Sequence, residues 1–358
     1  MPSLTDLSQS KDNNFNLLRM VCALGVLWAH SILVYTGEPL PWQIFHIRLD
    51  HLFVAVFFAI SGFLICRSLL VSQDLKRYAI ARMVRLFPAL CLVVAITVLI
   101  VGPSLSTLLP SEYFSHPNTW QYWQNLNLLS IHTQFDLPKV FSNAPFPNNV
   151  NASLWTLPIE VWLYVMTAMA YCLIHLIIER WPLLPRQHPQ SLMLTIGLVL
   201  LIILSLFGSI ATQHRNDDAG VMLVFVCVFF AGALSYLARR ALVLNLPFML
   251  GLWLVALVLQ NTPLWLAGFC LSLVYSVLWL AYRPNGVIRR FNRLGDYSYG
   301  TYIYGFMIQQ STLAIWPTLS FSSFLVISTM VTLMCAVGSW HGLEKPFIRH
   351  FKLSSSDR

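Results

Sequence analysis

Charged residues are scarce in this 358-residue chain, making up only 10% of it, whereas soluble proteins average about 25%. No C-x-x-C pair occurs, and the seven cysteines are scattered through apolar runs. An odd number of scattered thiols argues against a disulfide framework and against a zinc site. Because 57% of the residues are hydrophobic, a disordered chain, a collagenous fibre and a nucleic-acid-binding globule are also excluded. The composition predicts a protein whose main solvent is lipid.

The sequence consists largely of long apolar runs. A helix needs about 20 mostly apolar residues to cross a bilayer. Ten segments meet this requirement: 17–35, 52–70, 87–109, 154–178, 191–212, 221–238, 242–260, 262–282, 298–316 and 321–340. The predicted fold class is therefore all-α, a polytopic membrane protein with about ten transmembrane helices.

The basic residues predict the orientation of these spans. If the N-terminus is cytoplasmic, 19 of the 22 Lys and Arg residues fall on the inner side, and only Arg48, Lys139 and Arg215 fall outside. Positive charge collects on the cytoplasmic side of membrane proteins, so both termini are predicted to be cytoplasmic. The net charge of +8 then needs no nucleic-acid partner. The predicted parts are a cytoplasmic N-terminal segment 1–16, a transmembrane domain 17–345 with a basic cytoplasmic loop 71–86 and a long outer loop 110–153, and a cytoplasmic tail 346–358.

The first span carries two ionisable residues, Arg19 and His30. Each such group costs roughly 2.5–3.5 kcal/mol inside a span and so marks a functional hypothesis. Eleven residues at 100° each bring both side chains to one helix face, about 16 Å apart along the axis. An imidazole can take a proton from a hydroxyl near neutral pH. His30 is thus a candidate general base, and Arg19 a candidate contact for an anionic reactant. The alternative is that Arg19 snorkels to the interface and His30 is hydrogen-bonded within the bundle.

A second basic feature is Arg82-Met83-Val84-Arg85 in the predicted loop. Two arginines three residues apart share a helix face, and their planar donor groups match the geometry of phosphate. Arg82 and Arg85 are therefore a candidate phosphate-binding pair. The alternative is a basic surface that touches anionic lipid head groups.

Glu160 is the one acidic residue well inside a predicted span. Ser153 is predicted to cap the start of this helix, seven residues before Glu160 and on the same face. A carboxylate in a span needs a partner, and His30 or Arg19 of the first span is the candidate. Glu160 would then orient His30 and stabilise its protonated form. The alternative is a purely structural ion pair.

Six short motifs in order resemble those of the acyltransferase 3 family of integral membrane O-acyltransferases. They are Asn16–His30 with its Arg-x10-His spacing, Ser61-Gly62-Phe63-Leu64-Ile65, Arg82-x-x-Arg85 with Leu86-Phe87-Pro88, Ser153-Leu154-Trp155 with Glu160 and Tyr164, the run from Leu294 to Tyr302, and Glu344-Lys345-Pro346. The match runs nearly end to end. Two positions depart from the family pattern: Asn16, where many members have Asp, and Gly305, where many have His.

The resemblance implies roles for five residues. His30 looks like the essential histidine of the family, Arg19 its paired arginine, and Glu160 the glutamate of its SLW motif. Arg82 and Arg85 look like the cytoplasmic pair thought to contact coenzyme A. The expected catalytic residues are therefore His30, Glu160 and Arg19, and the expected donor-binding residues are Arg82, Arg85 and Arg19. The acyl donor is expected to be acetyl-CoA, with transfer either direct or through an acylated histidine, and no metal is expected.

The function that the resemblance implies is membrane O-acyl transfer, in particular O-acetyl transfer. The acyl group would pass from cytoplasmic acyl-CoA to a hydroxyl of a cell-surface polysaccharide, such as lipopolysaccharide or exopolysaccharide, or of a lipid-linked glycan. The expected location is the bacterial cytoplasmic (inner) membrane. Membrane lipid and surface-polysaccharide assembly proteins are the other expected partners, and nucleic acid is not. The alternatives are a transporter or flippase of an anionic or glycolipid substrate, against which the lack of internal repeats argues, and a structural subunit of a polysaccharide export complex.

Overall fold

The computed structural model describes residues 3–10, 12–180, 196–197, 199–201, 203–204, 206–207 and 218–354. Helices account for most of these residues, and β-structure within them is limited to a two-stranded antiparallel pair, β1 (Gln43–Ile44) and β2 (Ile47–Arg48), and isolated bridges. The predicted all-α polytopic membrane class is confirmed.

The helices follow the apolar runs. They are α1 Leu4–Gln9, α2 Phe15–Thr36, α3 Leu49–Ser72, α4 Leu75–Ile96, α5 Gly102–Leu105, α6 Pro110–Ser115, α7 Pro117–Gln121, α8 Thr156–Arg180, α9 Asp218–Leu237, α10 Leu246–Leu259, α11 Trp265–Tyr282, α12 Ser298–Ile315, α13 Phe321–Ser339 and α14 Lys345–Ser354. Short 3₁₀ segments cover Tyr122–Leu126, Ala152–Trp155 and Gly286–Arg293, and π-helical turns cover Thr97–Val101 and Trp340–Glu344.

Seven helices in the described part of the chain are long and apolar enough to cross a membrane. The predicted span 242–260 corresponds to the shorter α10, and the predicted span 298–316 to the 18-residue α12. Most of the predicted span 191–212 lies outside the described residues. The count of ten and the cytoplasmic termini stay predictions.

The stretch 71–86 differs from the expected surface loop. Helix α3 ends at Ser72, and α4 begins at Leu75 and continues as one apolar helical segment to Leu105. Arg82 and Arg85 therefore lie on the same continuous helix as the apolar segment that follows them, rather than in a loop. Pro88 inside this helix removes one backbone donor, as membrane helices tolerate.

The chain forms two units. One comprises Met1–Cys22, Trp42–Leu75 and Trp162–Leu294; the other comprises Ala23–Pro41, Lys76–Val161 and Gly295–Arg358. The first unit is built on the close packing of α3 against α9. Gly62 of α3 lies so near α9 that an added Cβ would be 1.9 Å from the Phe229 carbonyl oxygen, and an added Cβ on Gly232 of α9 would be 2.4 Å from the Ala59 carbonyl oxygen. Small residues that let two helix backbones meet in this way are typical of membrane helix pairs.

Substituting Gly62 with alanine is expected to destabilise the first unit by about 1–3 kcal/mol, because the new methyl group meets backbone that cannot rotate away. Melting of the detergent-solubilised protein, followed by fluorescence-detected size exclusion, measures this loss. Gly251→Ala in α10 is the matched control, since no atom of the described residues lies within 4 Å of its added Cβ. Equal melting temperatures for the two variants would contradict the packing described.

The second unit contains α12 packed closely on α13. An added Cβ on Gly300 would lie 2.9 Å from Cα of Ala336, so these helix backbones also meet at a small residue.

The 110–153 connection belongs to this unit and is ordered around buried residues. Tyr113 is fully buried and donates to the Val98 carbonyl at 3.0 Å. Burial raises the pKa of Tyr113 to about 12.

Candidate active site

One face of α12 contacts every segment of the second unit that carries a predicted site residue. Successive contacts at spacings of three and four residues define this α12 contact face. Its members are Tyr299, Tyr302, Ile303, Phe306, Gln309 and Gln310. Tyr299 and Phe306 are seven residues apart, about 10 Å along the helix.

His30 lies on α2 beside this face. Its half-buried ring meets Phe306 edge-on, with ring centroids 5.1 Å apart and an interplanar angle of 83°. The Gln309 amide donates to the Leu27 carbonyl and to the Ser31 hydroxyl, both at 2.7 Å. Leu27 and Ser31 flank His30 in the helix. Gln309, itself fully buried, therefore fixes the turn of α2 that carries the imidazole.

The segment before α8 reaches the same face. Asn151 caps the 3₁₀ turn by accepting from the Ser153 backbone amide at 3.3 Å, and it donates to the Ile303 carbonyl at 2.7 Å. The capping residue is therefore Asn151 rather than the predicted Ser153. One turn later, the Thr156 and Tyr302 hydroxyls are hydrogen-bonded at 2.8 Å. These contacts attach the start of α8 to the middle of α12.

Glu160 follows on α8, one turn after Thr156, and is half-buried. It acts electrostatically on the Tyr299 hydroxyl, together with Glu344 and Arg85. Tyr299 lies in the first turn of α12. The predicted pairing of Glu160 with His30 or Arg19 stays a prediction.

Arg85 is the centre of a charged cluster in the second unit. Its Nη2 donates to Asp296 Oδ2 at 2.6 Å and its Nη1 to Glu344 Oε2 at 3.4 Å. Its guanidinium carbon lies 5.6 Å from the Tyr299 ring centroid and 5.7 Å from that of Trp340, within cation–π range. We call these five residues the Arg85 cluster. It joins α4 to the start of α12 and to the π-helical turn after α13.

Hydroxyl groups satisfy the remaining carboxylate oxygens of the cluster. Ser298 donates to Asp296 Oδ1 at 2.5 Å, and Ser339 donates to Glu344 Oε1 at 3.1 Å. Tyr304 in turn donates to Ser339 at 3.3 Å. Glu344 is fully buried, and a buried charge is tolerated only when it is paired and hydrogen-bonded.

A glycine fits against the indole of this cluster. Gly295 has φ of +137°, a conformation that favours glycine, and an added Cβ would lie 2.4 Å from Trp340 Nε1. The turn Gly295-Asp296 can therefore bring the Asp296 carboxylate to Arg85 only because residue 295 has no side chain.

Arg82 lies one turn before Arg85 on α4. Its Nε is buried and has no hydrogen-bond partner among the residues that the structure describes. Arg19 lies on α2, which runs unbroken from Phe15 to Thr36, so the helical spacing of 11 residues between Arg19 and His30 holds. The roles of Arg19, His30, Arg82, Arg85 and Glu160 stay predictions.

The sequence reasoning missed Gln309 as a residue that fixes His30, although two adjacent amides in an apolar run were a signal. Gln310, fully buried, donates to the Phe146 and Asn149 carbonyls at 2.7 and 2.9 Å and so ties down the 110–153 connection. Asp296 and Glu344 were noted only as parts of motifs. In the described residues no group of three or more His, Cys, Asp or Glu could hold a metal ion.

Comparison with known proteins gives one family match and two relatives. A family profile described as an acyltransferase domain matches residues 12–341. The chain is 25% identical over 348 residues to an O-acetyl transferase of Shigella phage Sf6, covering 94% of this chain and 96% of the relative. It is 24% identical over 375 residues to Nodulation protein 10 of Rhizobium leguminosarum bv. viciae, covering 96% and 95% respectively. No solved structure matches the chain significantly.

Proposed function

The chain belongs to the acyltransferase 3 family of membrane O-acyltransferases, and we propose that it moves an acetyl group from cytoplasmic acetyl-CoA to a glycan hydroxyl. The acceptor is a cell-surface polysaccharide or a lipid-linked glycan, and the location is the bacterial inner membrane. The observation that carries the proposal is the fixed position of His30 between Phe306 and the Gln309 hydrogen bonds. A general base has to be held in place to act on a hydroxyl.

His30 supplies the proton transfer in this reaction. Its imidazole nitrogen accepts the proton of the acceptor hydroxyl while that oxygen bonds to the thioester carbonyl carbon. The carbon–sulfur bond then breaks, and the proton passes from His30 to the departing sulfur, which leaves as the thiol of coenzyme A. Glu160 favours the protonated imidazole through its negative charge.

The donor enters from the side where basic residues collect. Acetyl-CoA supplies the activated acyl group, and its phosphates need cationic donors. The buried Arg82 Nε without a partner among the described residues fits such an anion, since phosphate oxygens accept charge-assisted hydrogen bonds. Arg19 lies on the same helix as His30, between the cytoplasmic end predicted for α2 and the imidazole.

The test is conversion of acetyl-CoA to free coenzyme A by the purified protein in liposomes, with glycan extracted from the producing bacterium. We expect thiol release that depends on the glycan, and an added acetyl mass on the glycan. Movement of glycolipid across the bilayer with no thiol release would overturn the proposal and favour a flippase.

Gln309→Leu is expected to lower kcat of acetyl transfer about tenfold while leaving the KM for acetyl-CoA within a factor of two. Leucine keeps the volume but loses both bonds to the His30 turn, and a small misplacement of a catalytic group is costly. Thr312→Val is the matched control, because among the described residues this buried hydroxyl bonds only the Ile308 carbonyl of its own helix. Equal kcat values for the two variants would show that Gln309 does not position His30.

A further inference from the structure

Both terminal nitrogens of Arg85 already donate to carboxylates within the protein. One terminal nitrogen bonds Asp296 and the other bonds Glu344, while the ring faces of Tyr299 and Trp340 lie beside the guanidinium. The planar fork that would hold a phosphate therefore already holds two carboxylates.

The charge balance of the Arg85 cluster also disfavours an anion. One arginine faces two carboxylates, of which Glu344 is fully buried and Asp296 nearly so. A phosphate could reach Arg85 only by displacing a carboxylate, which would then be left buried without its counter-ion. The negative charge that remains would repel the phosphate.

Arg82, unlike Arg85, has a buried N–H donor that is available to a phosphate. It lies three residues earlier on the same face of α4. Its Nε–H is buried and unpartnered within the described part of the chain. Leaving such a donor unsatisfied is costly, and a phosphate oxygen would satisfy it.

We infer that the two arginines divide their roles: Arg82 contacts the phosphates of the acyl donor, whereas Arg85 neutralises the buried Asp296 and Glu344 and does not contact the donor. This inference rests on the proposed function, because it assumes that the donor is a coenzyme A thioester.

The test is the affinity of the full-length protein in detergent for coenzyme A, measured by calorimetry, beside its melting temperature. Arg82→Gln is expected to weaken coenzyme A binding tenfold or more with an unchanged melting temperature. In the triple variant Arg85→Met, Asp296→Asn, Glu344→Gln, the cluster is neutral, and coenzyme A affinity is expected to stay within threefold of wild type. A folded triple variant that loses tenfold would overturn the inference.

A single substitution keeps the inference testable if the triple variant does not fold. Glu344→Gln removes one competitor for Arg85 and leaves that arginine in place. If Arg85 were a phosphate ligand, this change would tighten coenzyme A binding. We expect an affinity within threefold of wild type, and a larger change in folded protein would overturn the inference.

Failure of the proposed function gives a different result. Wild-type protein that is folded but binds no coenzyme A would overturn the proposed donor. If the wild-type protein binds coenzyme A and Arg82→Gln binds it equally tightly, only the division of roles between the two arginines is overturned.

Discussion

Alanine in place of His30 is expected to lower acetyl transfer by a factor of at least about 100, the range found when a general base is lost. The imidazole meets Phe306 at its edge and contributes no large apolar volume to the fold. The melting temperature of the variant is therefore expected to remain close to that of the wild type. Thiol release from acetyl-CoA, measured with purified protein in liposomes, gives the rate.

His175→Ala is the control for this loss. His175 is also half-buried. It lies beside Tyr171 near the C-terminal end of α8, and it belongs to the first unit, whereas His30 belongs to the second. It is expected to change the rate less than twofold. A His30→Ala protein that retains a tenth or more of the wild-type rate would exclude His30 as the general base.

Methionine in place of Arg85 is expected to destabilise the protein by about 3–5 kcal/mol, the cost of leaving buried carboxylates without their counter-ion. Asp296 and Glu344 would face each other across a site of low polarity. We expect a sharply lower melting temperature or loss of the monodisperse protein during purification. The added substitutions Asp296→Asn and Glu344→Gln are expected to restore much of the lost stability.

Lys76→Met is the control for Arg85→Met, because it removes a positive charge from an exposed position on the same helix. Exposed charges contribute at most about 1 kcal/mol. If the Arg85 and Lys76 variants melted at the same temperature, the Arg85 cluster would not be a stabilising element.

The length of the apolar runs and the scarcity of charged residues were sufficient to predict the fold class and most helices. The start of α4 was harder to predict, because the charged residues Lys76, Arg77, Arg82 and Arg85 read as a loop at the membrane surface. The structure continues the helix through them, with Arg85 compensated by carboxylates from elsewhere in the chain. Hydropathy alone cannot predict that carboxylates distant in the chain will neutralise an arginine.

The candidate site was predictable only in part for the same reason. The Arg-x10-His spacing is a local property of one helix, so it could be derived from the sequence alone. The partners of Arg85 are 211 and 259 residues away in the chain, and Gln309 meets Leu27 across 282 residues. Only the packing of α12 against its neighbours brings such residues together.

The central claim is that His30 of this chain is the general base for acetyl transfer to a surface glycan. It is tested most directly in cells that carry the wild-type protein, His30→Ala protein at matched abundance, or no protein. Mass spectrometry of the surface glycans measures the added acetyl mass, and nuclear magnetic resonance places it on the sugar. We predict O-acetyl groups in the wild-type strain alone. Equal acetylation in all three strains would contradict the claim.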